Sequence, residues 1–287
     1  MIYTTLISAA ELSRHLNNPD WLVVDARFSL AEPELGRQNY HTGHIPGAVY
    51  AHLNEDLSAP IVPGVTGRHP LPETGAARRF FAGMGVGPGV QVVAYDDQGG
   101  ALAAARVWWM LRWLGHDAVA VLDGGWQAWQ RSACTVSLGV DRRYPRTFTP
   151  QPRPEMLVSA AQVEVMRQEA GSVVLDARAP ERYRGENETI DPVAGHIPGA
   201  HSAPYGGNLN PDGTFRSPEQ LRLRYERLLG GVPPEKTAVY CGSGVTSIHN
   251  ILAMRHAGLG EARLYAGSWS EWIADGTRPV ALGAEVG

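Results

Sequence analysis

Apolar residues in this chain gather in short clusters, separated by longer amphipathic or glycine-punctuated stretches. Residues 21–24, 90–95 and 118–122 form such clusters in the first half. Residues 173–175, 237–240 and 263–265 form them in the second. Runs this short and this apolar predict buried strands, because a strand covered on both faces loses the alternation of a half-exposed one. Between them lie helix signals. Ser8 and Ser159 are placed to cap opening helices. Pro72-Glu73-Thr74 opens a later helix, and Ser217-Pro218-Glu219-Gln220 reads as a capping box with proline at the first helical position. Arg106-Val107-Trp108-Trp109-Met110-Leu111 reads as a packed helix, and Ile248 begins a helical pattern that reaches His256. Strands alternating with helices predict an α/β fold with parallel sheets covered on both faces.

The pattern occurs twice, at an offset of about 150 residues. Val23-Val24-Asp25-Ala26-Arg27 returns as Val174-Leu175-Asp176-Ala177-Arg178. Gly43-His44-Ile45-Pro46-Gly47-Ala48 returns unchanged as Gly195-His196-Ile197-Pro198-Gly199-Ala200. Ile7-Ser8-Ala9-Ala10 is echoed by Val158-Ser159-Ala160-Ala161, and Gly124-Gly125-Trp126 with Trp129 by Gly267-Ser268-Trp269 with Trp272. The period is too long for a solenoid unit, so it marks a domain duplication. The length of 287 residues agrees with two domains. We expect domains at 1–137 and 157–287. Residues 138–156 lie in a proline-rich, aperiodic stretch and are expected to be a surface linker.

Aligning the repeats places Asp96 opposite Cys241, each at the end of an expected strand. Ligands of open parallel sheets bind beyond the carboxyl ends of the strands. Cys241 enters the loop Gly242-Ser243-Gly244-Val245-Thr246-Ser247, ahead of the helix at 248. Gly242 and Gly244 permit backbone angles that turn several N–H groups inward, and a helix N-terminus favours negative charge. Such a cradle stabilises a thiolate. The alternative is a small buried cysteine in an ordinary turn. A carboxylate cannot act as a sulfur nucleophile, so the first half is expected to be inactive.

Composition narrows the function further. A hydrophobic content of 44% supports real cores, while 19% charged residues and a net charge of −4 leave no basic footprint for nucleic acid. No apolar run is long enough to span a membrane. The first ten residues hold no Lys or Arg, so no secretory signal is expected. Two cysteines, Cys134 and Cys241, make no disulfide framework and fit a reducing cytoplasm. CxxC and His/Cys clusters are absent, so no metal site is expected.

These residues together resemble the tandem-domain rhodanese (sulfurtransferase) superfamily. The resemblance rests on the paired Asp-Ala-Arg and Gly-His-Ile-Pro-Gly-Ala segments, the Gly-x-Trp-x-x-Trp pairs and the Cys241 loop. It implies two rhodanese-like domains, no cofactor, and a covalent persulfide on Cys241. The Cys-Gly-Ser-Gly-Val-Thr loop is similar to that of 3-mercaptopyruvate sulfurtransferases. Thiosulfate-using members typically carry basic residues where this chain has Gly242 and Ser243. The implied reaction takes sulfur from 3-mercaptopyruvate and passes it to a thiol such as thioredoxin, or to cyanide. Thiosulfate is the alternative donor. The resemblance also implies that Arg182 binds the substrate carboxylate, with Arg184 as the substitute. Residues 187–191 lack the second arginine of some relatives, so a single arm is expected. It further implies that His44 approaches Ser243 and moves a proton, its acidic partner nearest to Glu32 or Glu34. The identical placing of His196 points equally to a structural role. A cysteine phosphatase is disfavoured, because position 247 is Ser rather than the phosphate-clamping Arg. A non-catalytic sulfur-binding module is the remaining class. A monomer is the default expectation.

Overall fold

The computed structural model describes residues 2–284 and divides the chain into two compact units. The first comprises residues 1–59, 71–153 and 210–215; the second comprises 60–70, 154–209 and 216–287. Each is built on a parallel sheet. In the first unit, β1 (Leu6–Ile7), β2 (Trp21–Asp25), β3 (Val49–Tyr50), β4 (Gln91–Tyr95) and β5 (Val119–Leu122) lie in the order β1-β5-β4-β2-β3. In the second, β6 (Val173–Asp176), β7 (Ala200–Ser202), β8 (Thr237–Tyr240) and β9 (Arg263–Leu264) lie in the order β7-β6-β8-β9. A parallel bridge from Leu157 to Leu264 stands where β1 stands in the first sheet. The two topologies therefore match, as a duplication requires.

Every residue of β2, β4, β5, β6 and β8 is buried, which explains why their sequences are apolar except at a strand end, where Asp25, Gln91, Asp176 or Thr237 stands. In each unit Trp129 or Trp269 and Trp272 pack with the strands and the opening helix. The capping boxes at Ser159 and Ser217 both form. Strands β1, β3 and β7 are among the elements that the hydrophobic pattern does not reveal. At two or three residues they are too short to display a period.

The expected linker differs from the structure. Residues 138–153 belong to the first unit. Arg146 N–H donates to Ala82 O (2.9 Å), Gln151 N–H to Leu114 O (2.8 Å) and Arg153 N–H to Trp113 O (2.8 Å). The prolines fix extended backbone, and the intervening N–H groups bind the unit's surface, so the stretch is a strap. Residues 60–70 and 210–215 lie at equivalent places, each between a short edge strand and a long helix, Thr74–Gly83 and Pro218–Leu229 respectively. Each groups with the unit that does not contain its flanking strand.

Candidate active site

Strand β8 ends at Cys241, which is 2% exposed. Its backbone is tied on both sides. The Cys241 N–H donates to Ser268 Oγ (3.1 Å), and its carbonyl accepts the Trp269 N–H (3.0 Å). The loop then turns at Gly244, where φ is +75° and a Cβ would meet Ala266 O at 2.2 Å. Only glycine fits there. Gly242 is not in the left-handed region, so its absent side chain serves space rather than conformation. The Gly244 N–H points at the Cys241 sulfur (3.2 Å). The helix Ser247–His256 follows, and Val245 and Ser247 are buried with the sulfur.

Burial by itself raises the thiol pKa, since it disfavours the anion. The Thr246 hydroxyl and the N–H groups of Ser243 and Ser247 oppose it, and the thiol lies below its ordinary value. A fully buried sulfur poised toward thiolate is a nucleophile rather than a packing residue.

Ser243 lies in this loop and the Arg182 guanidinium lies beside it, each with a partner that the sequence did not indicate. Ser243 Oγ lies 2.8 Å from Nδ1 of His69. Arg182 Nε is held by both oxygens of Glu188 (3.1 and 2.9 Å), and its Nη2 donates to Asp191 (2.8 Å). A second guanidinium, that of Arg68, pairs with the other oxygen of Asp191. The loop's own side chains are neutral, yet its surroundings are not. Arg184 pairs instead with the exposed Glu186 (2.7 Å).

The placing of His44 corrects the expectation that it meets Ser243. His44 belongs to the first unit, where Nδ1 faces Tyr40 O (2.8 Å) and Nε2 faces Asp141 (3.0 Å). Its ring stacks on Tyr40 (4.1 Å between centroids). His196 repeats the arrangement with Tyr183, at 2.8 Å to the carbonyl and 3.8 Å between rings. Both histidines brace the Gly-His-Ile-Pro turn. Glu32 and Glu34 likewise belong to the first unit. His69 was missed because it follows an aperiodic Pro/Gly loop and carries no motif. One signal could have found it: unlike His44, it has no duplicate, and residues 210–215 contain neither His nor Arg.

Among the described residues, Glu34, His52 and Glu55 lie close enough to suggest a metal. His52 Nε2 faces Pro33 O (3.1 Å) and Nδ1 accepts the Glu55 N–H (3.3 Å), which leaves no lone pair for an ion.

The rhodanese-like domain family matches residues 8–132 and 159–275, one copy on each sheet. The chain belongs to the rhodanese family. A Pseudomonas aeruginosa relative named "Probable 3-mercaptopyruvate sulfurtransferase" is 49% identical over 279 residues, covering 97% of this chain and 98% of its own. A Mycobacterium tuberculosis relative, "Putative thiosulfate sulfurtransferase SseB", is 39% identical over 285 residues, 97% of each. The crystal structure of the 3-mercaptopyruvate sulfurtransferase SseA from Escherichia coli aligns with a TM-score of 0.80 at 30% identity, over 94% of this chain and all of that one. This rhodanese is a tandem-domain sulfurtransferase, with Asp96 in the first domain where the second has Cys241. No helix among the described residues is long and apolar enough to cross a membrane.

Proposed function

We propose that Cys241 carries sulfur as a persulfide, taking it from 3-mercaptopyruvate and releasing pyruvate. The observation that carries this reading is the buried Cys241 sulfur at the end of β8, with the Gly244 N–H turned toward it at 3.2 Å and the loop's hydroxyl and N–H donors favouring its thiolate. The thiolate attacks the sulfur of 3-mercaptopyruvate. The C–S bond breaks with its electron pair on carbon, giving the enolate of pyruvate and a protonated persulfide. That proton passes to the enolate, so the first half-reaction needs no outside acid. Ser243 and His69, 2.8 Å apart, are the groups placed to move it. Gly242, Gly244, Val245, Thr246 and Ser247 form the cradle that holds the persulfide anion, whose extra sulfur replaces the thiolate as acceptor. Arg182 offers its remaining N–H to the substrate carboxylate.

In the second half-reaction a thiol such as thioredoxin, or cyanide, attacks the outer sulfur and regenerates Cys241. Neither step requires a resident cofactor. We place the protein as a monomer in the cytoplasm, where reducing conditions keep Cys241 free. Thiosulfate remains the second donor to test, since arginines flank Gly242 and one close relative carries that activity in its name.

The test uses intact-protein mass. Incubation with 3-mercaptopyruvate adds one sulfur to the wild type and to Cys134→Ser, and none to Cys241→Ser. Turnover of Cys241→Ser falls by about four orders of magnitude or more, as for other lost nucleophiles. Equal loss in both variants points to a two-thiol redox mechanism instead. Faster loading from thiosulfate than from 3-mercaptopyruvate reverses the donor assignment.

A further inference from the structure

Cys241 is buried, so an acceptor that takes its sulfur has to enter over the rim of the cysteine loop. Two segments of the second unit contribute to that rim. Residues 60–70 meet the loop's surroundings at three successive positions. At Gly67 a Cβ would meet Gly267 O at 2.4 Å, the Arg68 N–H donates to Ser270 Oγ (3.1 Å), and His69 Nδ1 lies 2.8 Å from Ser243 Oγ. Residues 187–193 are tied to them by the ion pair of Asp191 with Arg68, and Val193 O accepts the Trp269 Nε1–H (2.9 Å).

Both segments turn apolar side chains outward. Ile61, Val62 and Val65 are 56%, 49% and 65% exposed, and Ile190 and Val193 are 48% and 38% exposed. Single exposed apolar residues are ordinary, but five on two joined segments make a patch, and patches mark sites of association. The charged groups among them, Arg68 and Arg182 with Asp191 and Glu188, are paired with one another. The turn at 61–66 is also fixed in advance. Val62 O accepts the Val65 and Thr66 N–H groups (3.0 Å each), and Thr66 Oγ1 accepts the Val62 N–H (3.0 Å), while Pro60 and Pro63 restrict the backbone. Such a surface loses little entropy when it is covered.

The duplicated domain supplies a control. Residues 210–215, the counterpart of 60–70, read Asn-Pro-Asp-Gly-Thr-Phe; Asp212 binds Thr214, and Phe215 is buried. The helix Leu35–Thr42, which precedes Gly43 as residues 187–193 precede Gly195, exposes no large apolar side chain. At these two places apolar exposure accompanies the cysteine and not the scaffold. A donor as small as 3-mercaptopyruvate, or an acceptor as small as cyanide, has no apolar body to cover such a patch. A folded protein that presents a thiol does.

We propose that this rim docks a protein acceptor whose reactive thiol is set in an apolar surface, a step that rests on Cys241 being the sulfur carrier. The acceptor thiolate attacks the outer sulfur of the Cys241 persulfide. The S–S bond breaks with its electron pair on Cys241, and the acceptor leaves as a persulfide.

The experiment loads the wild type and the double variant Ile61→Asp/Val65→Asp from 3-mercaptopyruvate or thiosulfate. Loss of the added sulfur is then followed by intact-protein mass, to cyanide and to reduced thioredoxin in parallel. Both proteins load alike and serve cyanide alike, because the substituted side chains face solvent. Toward thioredoxin, kcat/KM of the variant falls about 10-fold or more, mainly through KM. Val65→Leu, which keeps the apolar surface, stays near the wild type. Ile190→Asp, on the other segment, repeats the loss and carries the comparison if the double variant does not fold. Unchanged transfer to thioredoxin in these variants overturns the proposal, and so does a parallel fall toward cyanide, which makes the residues part of the site's own architecture. A wild type that loads and serves cyanide but not thioredoxin overturns docking and leaves the sulfur carrier intact. No loading from either donor overturns the carrier and docking together. A wild-type dimer that the substitutions dissociate in sedimentation, with transfer to thioredoxin unchanged, gives the face to a second copy of the chain instead.

Discussion

Asp96 and Cys241 stand at the same place in two copies of one scaffold, and the copies differ there in kind. Around both, the scaffold is preserved almost atom for atom. Arg27 pairs with Asp25 at 2.6 Å, and Arg178 with Asp176 at 2.6 Å. The same arginines cap Gly43 O and Gly195 O, each at 2.6 Å, and lie over Trp126 and Trp269 at 4.5 and 4.7 Å. Tyr95 and Tyr240 hydroxyls accept from Ile45 and Ile197 N–H at 3.2 and 3.1 Å. What differs is the cradle. The Asp96 carboxylate accepts the N–H groups of Gln98, Gly100, Leu102 and Ala104 at 2.8–3.2 Å, and so fills its loop with an anion of its own. The Cys241 loop holds one sulfur, with donors turned toward it. A rhodanese cradle thus persists in the first domain with its anion built in. The Cys241 loop holds a sulfur instead, the group on which a persulfide can form.

The sharpest break in this comparison separates duplicated from unduplicated histidines. His69→Ala slows persulfide formation by about 10²- to 10⁴-fold, the usual worth of a positioned proton carrier. His44→Gln removes a buried hydrogen bond in the first unit and costs about 1–3 kcal/mol of stability while sulfur loading proceeds. Single-turnover loading followed by mass, together with thermal unfolding, reads both effects. Equal loss of loading in the two variants collapses the distinction between scaffold and site.

That distinction also explains what the sequence makes legible. Fold class, duplication and the Cys241 loop are local: strands five residues long, a hexapeptide repeated without change, a cysteine before glycines. The two-residue edge strands β1 and β3 left no pattern to read. Arg68 and His69 are invisible for another reason. Their meaning lies in pairings 123 and 174 residues away, with Asp191 and Ser243, and no periodicity spans such distances. The repeat nevertheless holds the clue that His44 was the wrong histidine, because a side chain needed by both copies is needed by the scaffold.

The two anions give the loops opposite responses to pH. Burial raises the Asp96 pKa to about 6, with the N–H bonds of Gln98, Gly100 and Ala104 limiting the rise. A raised folded-state pKa contributes stability that is present below the unfolded value and lost as pH climbs through about 6. The first unit therefore gains up to about 1–3 kcal/mol from this group between pH 7 and about pH 4. The Cys241 pKa is lowered, so its contribution runs the other way: present above the unfolded thiol pKa, and lost as pH falls through the folded one. Hydrogen exchange, corrected for intrinsic rates, resolves the two units. Asp56, Asp97 and Asp123 are also raised by burial. The slope specific to Asp96 is accordingly the part that Asp96→Asn abolishes. An unchanged slope in that variant removes Asp96 as the source.

The smallest difference lies one turn away, where Gly125 and Ser268 share a φ of +54°. At Gly125 a Cβ would meet Asp96 O at 2.3 Å, so the position admits no side chain. At Ser268 the side chain is present, fully buried, in a backbone conformation that costs a non-glycine residue about 1 kcal/mol. Its hydroxyl offsets that strain, accepting the Cys241 N–H (3.1 Å) and donating to Tyr265 O (2.9 Å). The hydroxyl fixes the backbone of the nucleophile, a task the first domain does not have. Ser268→Ala keeps the strain and strands the Cys241 N–H, so it costs about 1–3 kcal/mol in urea unfolding. Ser268→Gly strands the same N–H but relaxes the backbone, so it costs about 1 kcal/mol less than Ser268→Ala. Should the glycine variant be the less stable of the two, the strain at φ +54° is not what separates them. The serine would then be held by packing alone.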